Sequence, residues 1–207
     1  MEKLIIEAVD FLAKNKIDLL VLACHTATKI LNKSLRSRYN FPIIGMKSGI
    51  RKNISLQTNN KIVICGTDLS IKKWESQLKK THPDASYLSL QRLVVYAEKF
   101  DFESQSLFKY LYKRLACIDW NNYNSILLGC THFPFFKDQI KSILPNHVEV
   151  IDGSVITARQ IQLFTQMQEL SIDNTIDFVV SKKKVFNNVM LKYLNVLEQN
   201  HSLVTCQ

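Results

Sequence analysis

The sequence predicts an α/β protein with two pseudo-symmetric lobes, each built on a mainly parallel sheet flanked by helices. Short apolar segments alternate with amphipathic segments of ten or more residues, which is the pattern of parallel sheets with covered faces. Two of the apolar segments end in the same way, in a cysteine followed by polar residues that open a helix. The 207 residues, 46% of them hydrophobic, suffice for one or two domains with a buried core.

Apolar periodicity places the elements along the chain. The predicted strands cover 18–23, 43–45, 61–66, 87–90, 125–128 and 148–152. The predicted helices cover 3–15, 27–38, 69–80, 103–117, 135–143 and 155–170. No low-complexity linker divides the chain, so a boundary is expected in an ordinary loop near residue 60. This places the first lobe in 1–60 and the second in 61–171.

Chemistry is expected where the strand 125–128 ends, because Gly129 is followed there by Cys130, Thr131 and His132. Ligands of parallel α/β sheets bind at the carboxyl ends of strands, where loops and helix N-termini converge. A glycine before the cysteine allows the backbone to turn sharply. The alternative is a buried cysteine that acts only as a small apolar side chain.

The strand 18–23 ends with the same order of residue types, and this weakens the alternative. It is followed by Cys24, His25 and Thr26, which lead into the next predicted helix. Two thiols at two strand ends suit a site whose reactive groups must face a substrate from opposite sides.

Both cysteine segments resemble motifs of the glutamate racemases, which belong to the cofactor-independent aspartate/glutamate racemase superfamily. Residues 23–27, Ala-Cys-His-Thr-Ala, resemble the first motif, which usually reads Ala-Cys-Asn-Thr-Ala. Residues 129–134, Gly-Cys-Thr-His-Phe-Pro, resemble the second. Related aspartate racemases usually carry Glu at the position of His132, so His132 favours the glutamate branch. Residues 41–45 and 151–158 are also similar to family segments.

The resemblance implies an isomerase that interconverts L- and D-glutamate without cofactor or metal and supplies D-glutamate for peptidoglycan synthesis in the cytoplasm. A small-molecule substrate, glutamate, is the implied partner. The implied catalytic residues are Cys24, Cys130 and His132, and the implied substrate-binding residues are His25, Thr26 and Thr131.

A pair of thiols fits this reaction on chemical grounds. Inversion needs a base on one face of the α-carbon and an acid on the other, and the weakly acidic α-proton requires both to be well placed. A thiolate and a thiol can exchange these roles. A nearby imidazolium or helix N-terminus favours the thiolate, and His132 is the nearest candidate in the sequence.

For several side chains the sequence is compatible with both a functional and a structural role. His132 is either functional or a satisfied loop histidine. His25 stands where the family has Asn, so function and structure are equally open; a charged imidazole there would favour a Cys24 thiolate but repel a substrate ammonium. Cys65 is interpreted as a structural thiol. Cys117 and Cys206 have no motif and are interpreted as packing or surface residues.

The sequence also departs from the family pattern, because the usual N-terminal Asp-Ser-Gly segment is missing. We expect a first lobe that begins about two βα units late and is completed by 172–207. This leaves a second functional class open, a degenerate homologue that binds a ligand or partner with little or no turnover. Either a homodimer or pairing with a separately encoded N-terminal segment is expected.

Charge, hydropathy and cysteine content indicate which partners and which cellular environment to expect. The net charge of +9 is spread over scattered lysines without a nucleic-acid-binding motif, so a field that attracts acidic small molecules is the preferred explanation. No apolar run reaches the roughly 18 residues of a membrane helix, so no membrane association is expected. Five cysteines without a CxxC pair indicate reduced thiols.

Overall fold

The computed structural model describes residues 2–31, 33–46, 61–79 and 82–166. These residues form six strands, one at each predicted position, and every strand pairing is parallel. The strands are β1 Leu20–Leu22, β2 Ile43–Gly45, β3 Ile62–Gly66, β4 Ser86–Ser89, β5 Ser125–Leu128 and β6 Glu149–Asp152.

The strands form two sheets. The first contains β1 and β2, with Leu20 opposite Ile43. The second has four strands in the order β4-β3-β5-β6. The chain therefore leaves β3 for β4 on one side and reaches β5 on the other side. Such a reversal opens a crevice at the carboxyl ends of the two central strands, where ligands of parallel sheets bind.

Helices accompany both sheets, which confirms the predicted α/β class. They are α1 Glu2–Ala13, α2 His25–Ile30, α3 Lys33–Arg36, α4 Asp68–Leu78, α5 Arg92–Glu98, α6 Gln105–Leu115, α7 Lys137–Ile143 and α8 Ser154–Gln166. Short 3-10 turns cover Trp120–Asn122 and Phe133–Phe136.

The prediction of one helix over 27–38 is wrong, because the helix stops at Leu31. Leu31 is fully buried, and its ψ of 73° is not helical. The Nε atom of Arg36 donates to the Leu31 carbonyl at 2.8 Å, and its Nη1 atom donates to the Ile43 carbonyl at 2.6 Å. The guanidinium therefore satisfies the carbonyl that the broken helix exposes and joins this turn to β2.

Both faces of the four-stranded sheet are covered. Ile126 and Leu128 of β5 pack into the larger core beneath α6 and α7, whereas Leu127 points to the opposite face and packs with Trp74 of α4. This alternation of side chains between two buried faces is why β5 reads as a continuous apolar run rather than an alternating one. The buried strand holds the residues that follow it in a fixed place.

The predicted lobe boundary near residue 60 stays a prediction. The two sheets lie on either side of the 47–60 segment in the sequence, but that segment and the predicted completing segment 172–207 lie outside the described residues. No helix among the residues that the structure describes is both long and apolar enough to cross a membrane.

Gly129 is required by close packing at the end of β5. A Cβ atom built there would lie 2.6 Å from the Cys65 carbonyl oxygen and 2.4 Å from the indole of Trp74. The carbonyl belongs to β3 and cannot move away. We expect Gly129→Ala to lower the free energy of unfolding by about 1 to 3 kcal/mol.

Gly66→Ala is the matched control for Gly129→Ala, because a Cβ at Gly66 meets only side chains, the closest being Trp74 at 2.8 Å. Urea unfolding of both variants should give the larger loss for Gly129→Ala. Equal losses would contradict the role assigned to the carbonyl.

Candidate active site

A cleft of about 360 Å³ opens at the carboxyl ends of β1, β3, β4 and β5. All six side chains predicted for the site lie in its wall, so the structure brings both cysteine motifs to one cavity. The wall consists of Ala23, Cys24, His25, Thr26, Thr67, Ser70, Gln91, Val94, Gly129, Cys130, Thr131 and His132.

Cys24 is solvent-exposed and lies between β1 and α2 in an extended conformation. Its carbonyl oxygen accepts hydrogen bonds from the backbone N–H of Thr28 at 2.9 Å and from the Thr28 hydroxyl at 2.8 Å. The same hydroxyl accepts from the backbone N–H of Met46 at 3.0 Å, just after β2. Thr28 therefore fixes the backbone of Cys24 to both strands of the small sheet, a role that the sequence analysis missed.

Cys130 belongs to a chain of three side chains. Its Sγ atom lies 3.7 Å from Nδ1 of His132, and Nε2 of His132 lies 2.9 Å from a carboxylate oxygen of Glu98. A carboxylate can only accept, so it orients the neutral ring with the proton on Nε2. Nδ1 then carries a lone pair directed toward the thiol. His132 is thus placed to receive the proton of Cys130.

Glu98 was not predicted from the sequence. It lies at the C-terminal end of α5, a seven-residue helix that was also not predicted. Glu98 and His132 are 34 positions apart, so only the tertiary fold brings them together.

The environment of Cys130 favours its protonated form. Burial of the half-exposed thiol raises its pKa above the ordinary value, and the nearby Cys24 acts in the same direction. The backbone amides of His132 and Thr131 act against this shift but do not overcome it. The two thiols therefore differ in their exposure to water, since Cys24 is exposed and Cys130 is half-buried.

His25 is 9% exposed, and neither of its ring nitrogens has a hydrogen-bond partner among the described residues. Its ring meets Trp74 edge-on, with centroids 6.2 Å apart. Burial, and then the positive charge of Lys29, lower the pKa of His25 to about 4. The imidazole is consequently neutral near pH 7, so the repulsion of a substrate ammonium considered from the sequence does not arise.

The burial of His25 predicts a pH dependence of stability. Between the ordinary pKa near 6.5 and the folded value of about 4, the unfolded chain binds a proton at His25 that the folded chain does not. Stability should therefore fall as the pH drops through this window, by at most about 3 kcal/mol.

Urea unfolding at pH 7 and pH 4.5 tests this dependence when wild type is compared with His25→Asn. We expect the loss on acidification to be smaller in the variant. Identical losses would show that His25 titrates normally.

The other cysteines are placed as structural or surface thiols. Cys65 is fully buried in β3, and burial raises its pKa far above the ordinary range. Cys117 is exposed and donates to the Lys113 carbonyl. Cys206 lies outside the described residues. Within the described ranges, no group of three His, Cys, Asp or Glu side chains is arranged to hold a metal ion.

Further polar groups of the cleft were not predicted. Thr67 caps α4, where its hydroxyl oxygen accepts from the backbone N–H of Ser70, and both side chains lie in the wall. Gln91 uses its carbonyl oxygen to accept from the backbone N–H of Asp68. Thr67 directly after β3 was the available signal, since it repeats the pattern of a polar residue after a strand.

Comparison with known proteins identifies the family. The Asp/Glu/Hydantoin racemase family matches residues 2–161. Glutamate racemase 2 of Bacillus subtilis is 35% identical, over 96% of this chain and 78% of that protein. The chain belongs to the glutamate racemase family. The matched residues include both cysteine motifs, on which the sequence-based prediction rested.

Solved structures of the glutamate racemase family share the fold. The enzyme of Francisella tularensis in complex with D-glutamate has a TM-score of 0.72 at 20% identity, covering 94% of this chain and 78% of that one. The Escherichia coli enzyme, in complex with L-glutamate and the activator UDP-MurNAc-Ala, has a TM-score of 0.70 at 22% identity, covering 96% and 79%.

Proposed function

We propose that this member of the glutamate racemase family interconverts L- and D-glutamate by proton transfer between two cysteines, without a cofactor. The observation that carries the proposal is the meeting of Cys24 and Cys130 in one cleft, each following a strand of a different sheet. A reaction that inverts a carbon centre needs a reactive group on each of its two faces. Two separate sheets can present one such group to each face.

The thiols take complementary parts in each turnover. One sulfur, as thiolate, removes the α-proton and breaks the C–H bond; the carbanion then takes a proton from the other thiol on the opposite face. In the direction in which Cys24 is the thiolate base, Cys130, whose pKa burial raises, is the acid. In the reverse direction Cys24 carries a proton and is the acid, and Cys130 is the thiolate base. His132 accepts the Cys130 proton, and Glu98 stabilises the resulting imidazolium.

Neutral polar groups are proposed to hold the substrate. No Lys, Arg, Asp or Glu lies in the cleft wall among the described residues, so hydroxyl groups, the neutral imidazole of His25 and backbone N–H groups are left to bind the carboxylates. Thr26 and Thr131 are suited to this by position, and Thr67 and Ser70 add two more hydroxyls. The net charge of +9 attracts a dicarboxylic amino acid toward the surface.

The optical activity of amino acids incubated with the purified chain tests this proposal. L-glutamate and D-glutamate should both lose optical activity and converge on the racemic mixture, whereas the aspartates should react far more slowly. The second candidate is a degenerate homologue without turnover. It predicts that glutamate binds, by calorimetry, while its optical activity is unchanged.

We also propose that the chain forms two lobes and associates with a further copy or segment. The first lobe spans 1–60 and is completed by 172–207, and the second spans 61–171. Among the described residues the first sheet has two strands, and such a sheet is marginal on its own. This supports further pairing, which we propose to occur in a homodimer or with a separately encoded segment. Light scattering of the purified chain at several concentrations distinguishes a dimer from a monomer. We place the activity in the cytoplasm, supplying D-glutamate for peptidoglycan synthesis.

A further inference from the structure

The indole of Trp74 lies between the two cysteine motifs. Trp74 belongs to α4 and is 3% exposed. On one side it meets the ring of His25, the residue after Cys24. On the other side it fills the space that a Cβ at Gly129 would occupy, and Gly129 is the residue before Cys130.

We propose that Trp74 is a positioning residue that sets the separation of the Cys24 and Cys130 thiols by packing against the residue next to each of them. This inference rests on the proposed two-cysteine function. Trp74 is not one of the residues that line the cleft, so its action is through His25 and Gly129.

The contacts of the Trp74 indole on each side are close enough for the indole to fix the positions of its neighbours. On the side of α2, the His25 ring stands nearly perpendicular to the indole at 86°, and Nζ of Lys29 lies 5.5 Å from the centre of the indole. On the side of the large sheet, ideal Cβ positions at Gly66 and Gly129 fall within 2.8 Å and 2.4 Å of indole carbons. The indole therefore lies directly on the backbone of β3 and on the backbone that follows β5.

Helix α4 gives the indole a fixed base. It begins directly after β3, and its first turn is capped by Thr67, which also lies in the cleft wall. An indole held in this way acts as a spacer between α2 and the large sheet. Because the two thiols must reach opposite faces of one carbon atom, an error of about 1 Å in their separation can cost 10²-fold in rate.

The test compares two rates in D₂O for Trp74→Phe: inversion, and uptake of deuterium by substrate that has not inverted. Phenylalanine keeps an aromatic ring but is too short to touch both sides. One thiol should still exchange the proton on its own face, so the ratio of exchange to inversion should rise at least about tenfold. Loss of folded protein alone would lower both rates equally and leave the ratio unchanged.

Trp120→Phe is the matched control. Trp120 packs on the larger core and donates from Nε1 to the Leu115 carbonyl at 2.9 Å, away from the cleft. Its ratio of exchange to inversion should match wild type. An unchanged ratio in Trp74→Phe, or an equal rise in Trp120→Phe, would overturn the proposal.

A second measurement does not depend on activity. In a Cys117→Ser, Cys206→Ser background, short bis-maleimides should bridge Cys24 and Cys130, since Cys65 is fully buried. Trp74→Phe should lower the bridged fraction relative to single modification at least severalfold, and Trp120→Phe should not. Unchanged bridging overturns the positioning role. A wild-type chain that is inactive but bridges normally would overturn the proposed function, with the Trp74 role then decided by the bridging comparison.

Discussion

Replacing either Cys24 or Cys130 by serine is expected to lower glutamate racemisation by about 10³-fold or more, within the range of general acid–base effects. Serine is nearly isosteric, but its hydroxyl is far too weak an acid and its alkoxide too scarce at neutral pH to replace the thiol. Each variant should still show slow one-sided exchange of the α-proton in D₂O, catalysed by the remaining thiol.

Cys117→Ser is the control for both variants, because Cys117 is exposed and outside the cleft. It should keep wild-type activity. Substantial racemisation by either Cys24→Ser or Cys130→Ser would rule out the two-thiol mechanism, whereas weak exchange without inversion is its expected signature.

Removing the His132 side chain is expected to have the next largest effect. His132→Asn should lower kcat by about 10² to 10⁴-fold in the direction in which Cys130 is the base, because the protonated Cys130 loses its proton acceptor. Glu98→Gln keeps an oxygen for the Nε2–H but removes the negative charge that stabilises the imidazolium, so a smaller loss is expected, on the order of tenfold.

The losses of activity caused by His132→Asn and Glu98→Gln should not be additive, since Glu98 acts through His132. The double variant is therefore expected to resemble His132→Asn alone. Glu75→Gln serves as the control, because Glu75 is exposed, lies outside the cleft wall and forms an ion pair with Lys79 on the same helix at 3.9 Å. Wild-type activity in His132→Asn would show that Cys130 loses its proton to another group.

The sequence was sufficient to predict the strands and the meeting of the two motifs. Each cysteine follows a short apolar run, and ligands of parallel sheets bind at the carboxyl ends of such strands. The two strands belong to different sheets, and the carboxyl ends of both open on the cleft. The elements that were missed are those set by tertiary contacts. The end of α2 depends on Arg36 reaching back to the Leu31 carbonyl, and the partner of His132 lies on a helix too short for its periodicity to be read.

The charge state of His25 is likewise a property of the fold. Its position beside Cys24 was clear from the sequence, but its protonation depends on burial against Trp74 and on the nearby Lys29. Trp74 comes from α4, 49 positions further along the chain than His25. Nothing in the local pattern of either residue indicates that they are in contact.

The early time course of deuterium incorporation in D₂O, started from each glutamate enantiomer in turn, tests the two-cysteine account most directly. With a separate acid and base, each newly inverted molecule should carry deuterium at the α-carbon, while the remaining substrate stays largely protiated. This should hold in both directions. Inverted product that retains the proton of the substrate would show that one group both removes and returns it, and would contradict the account.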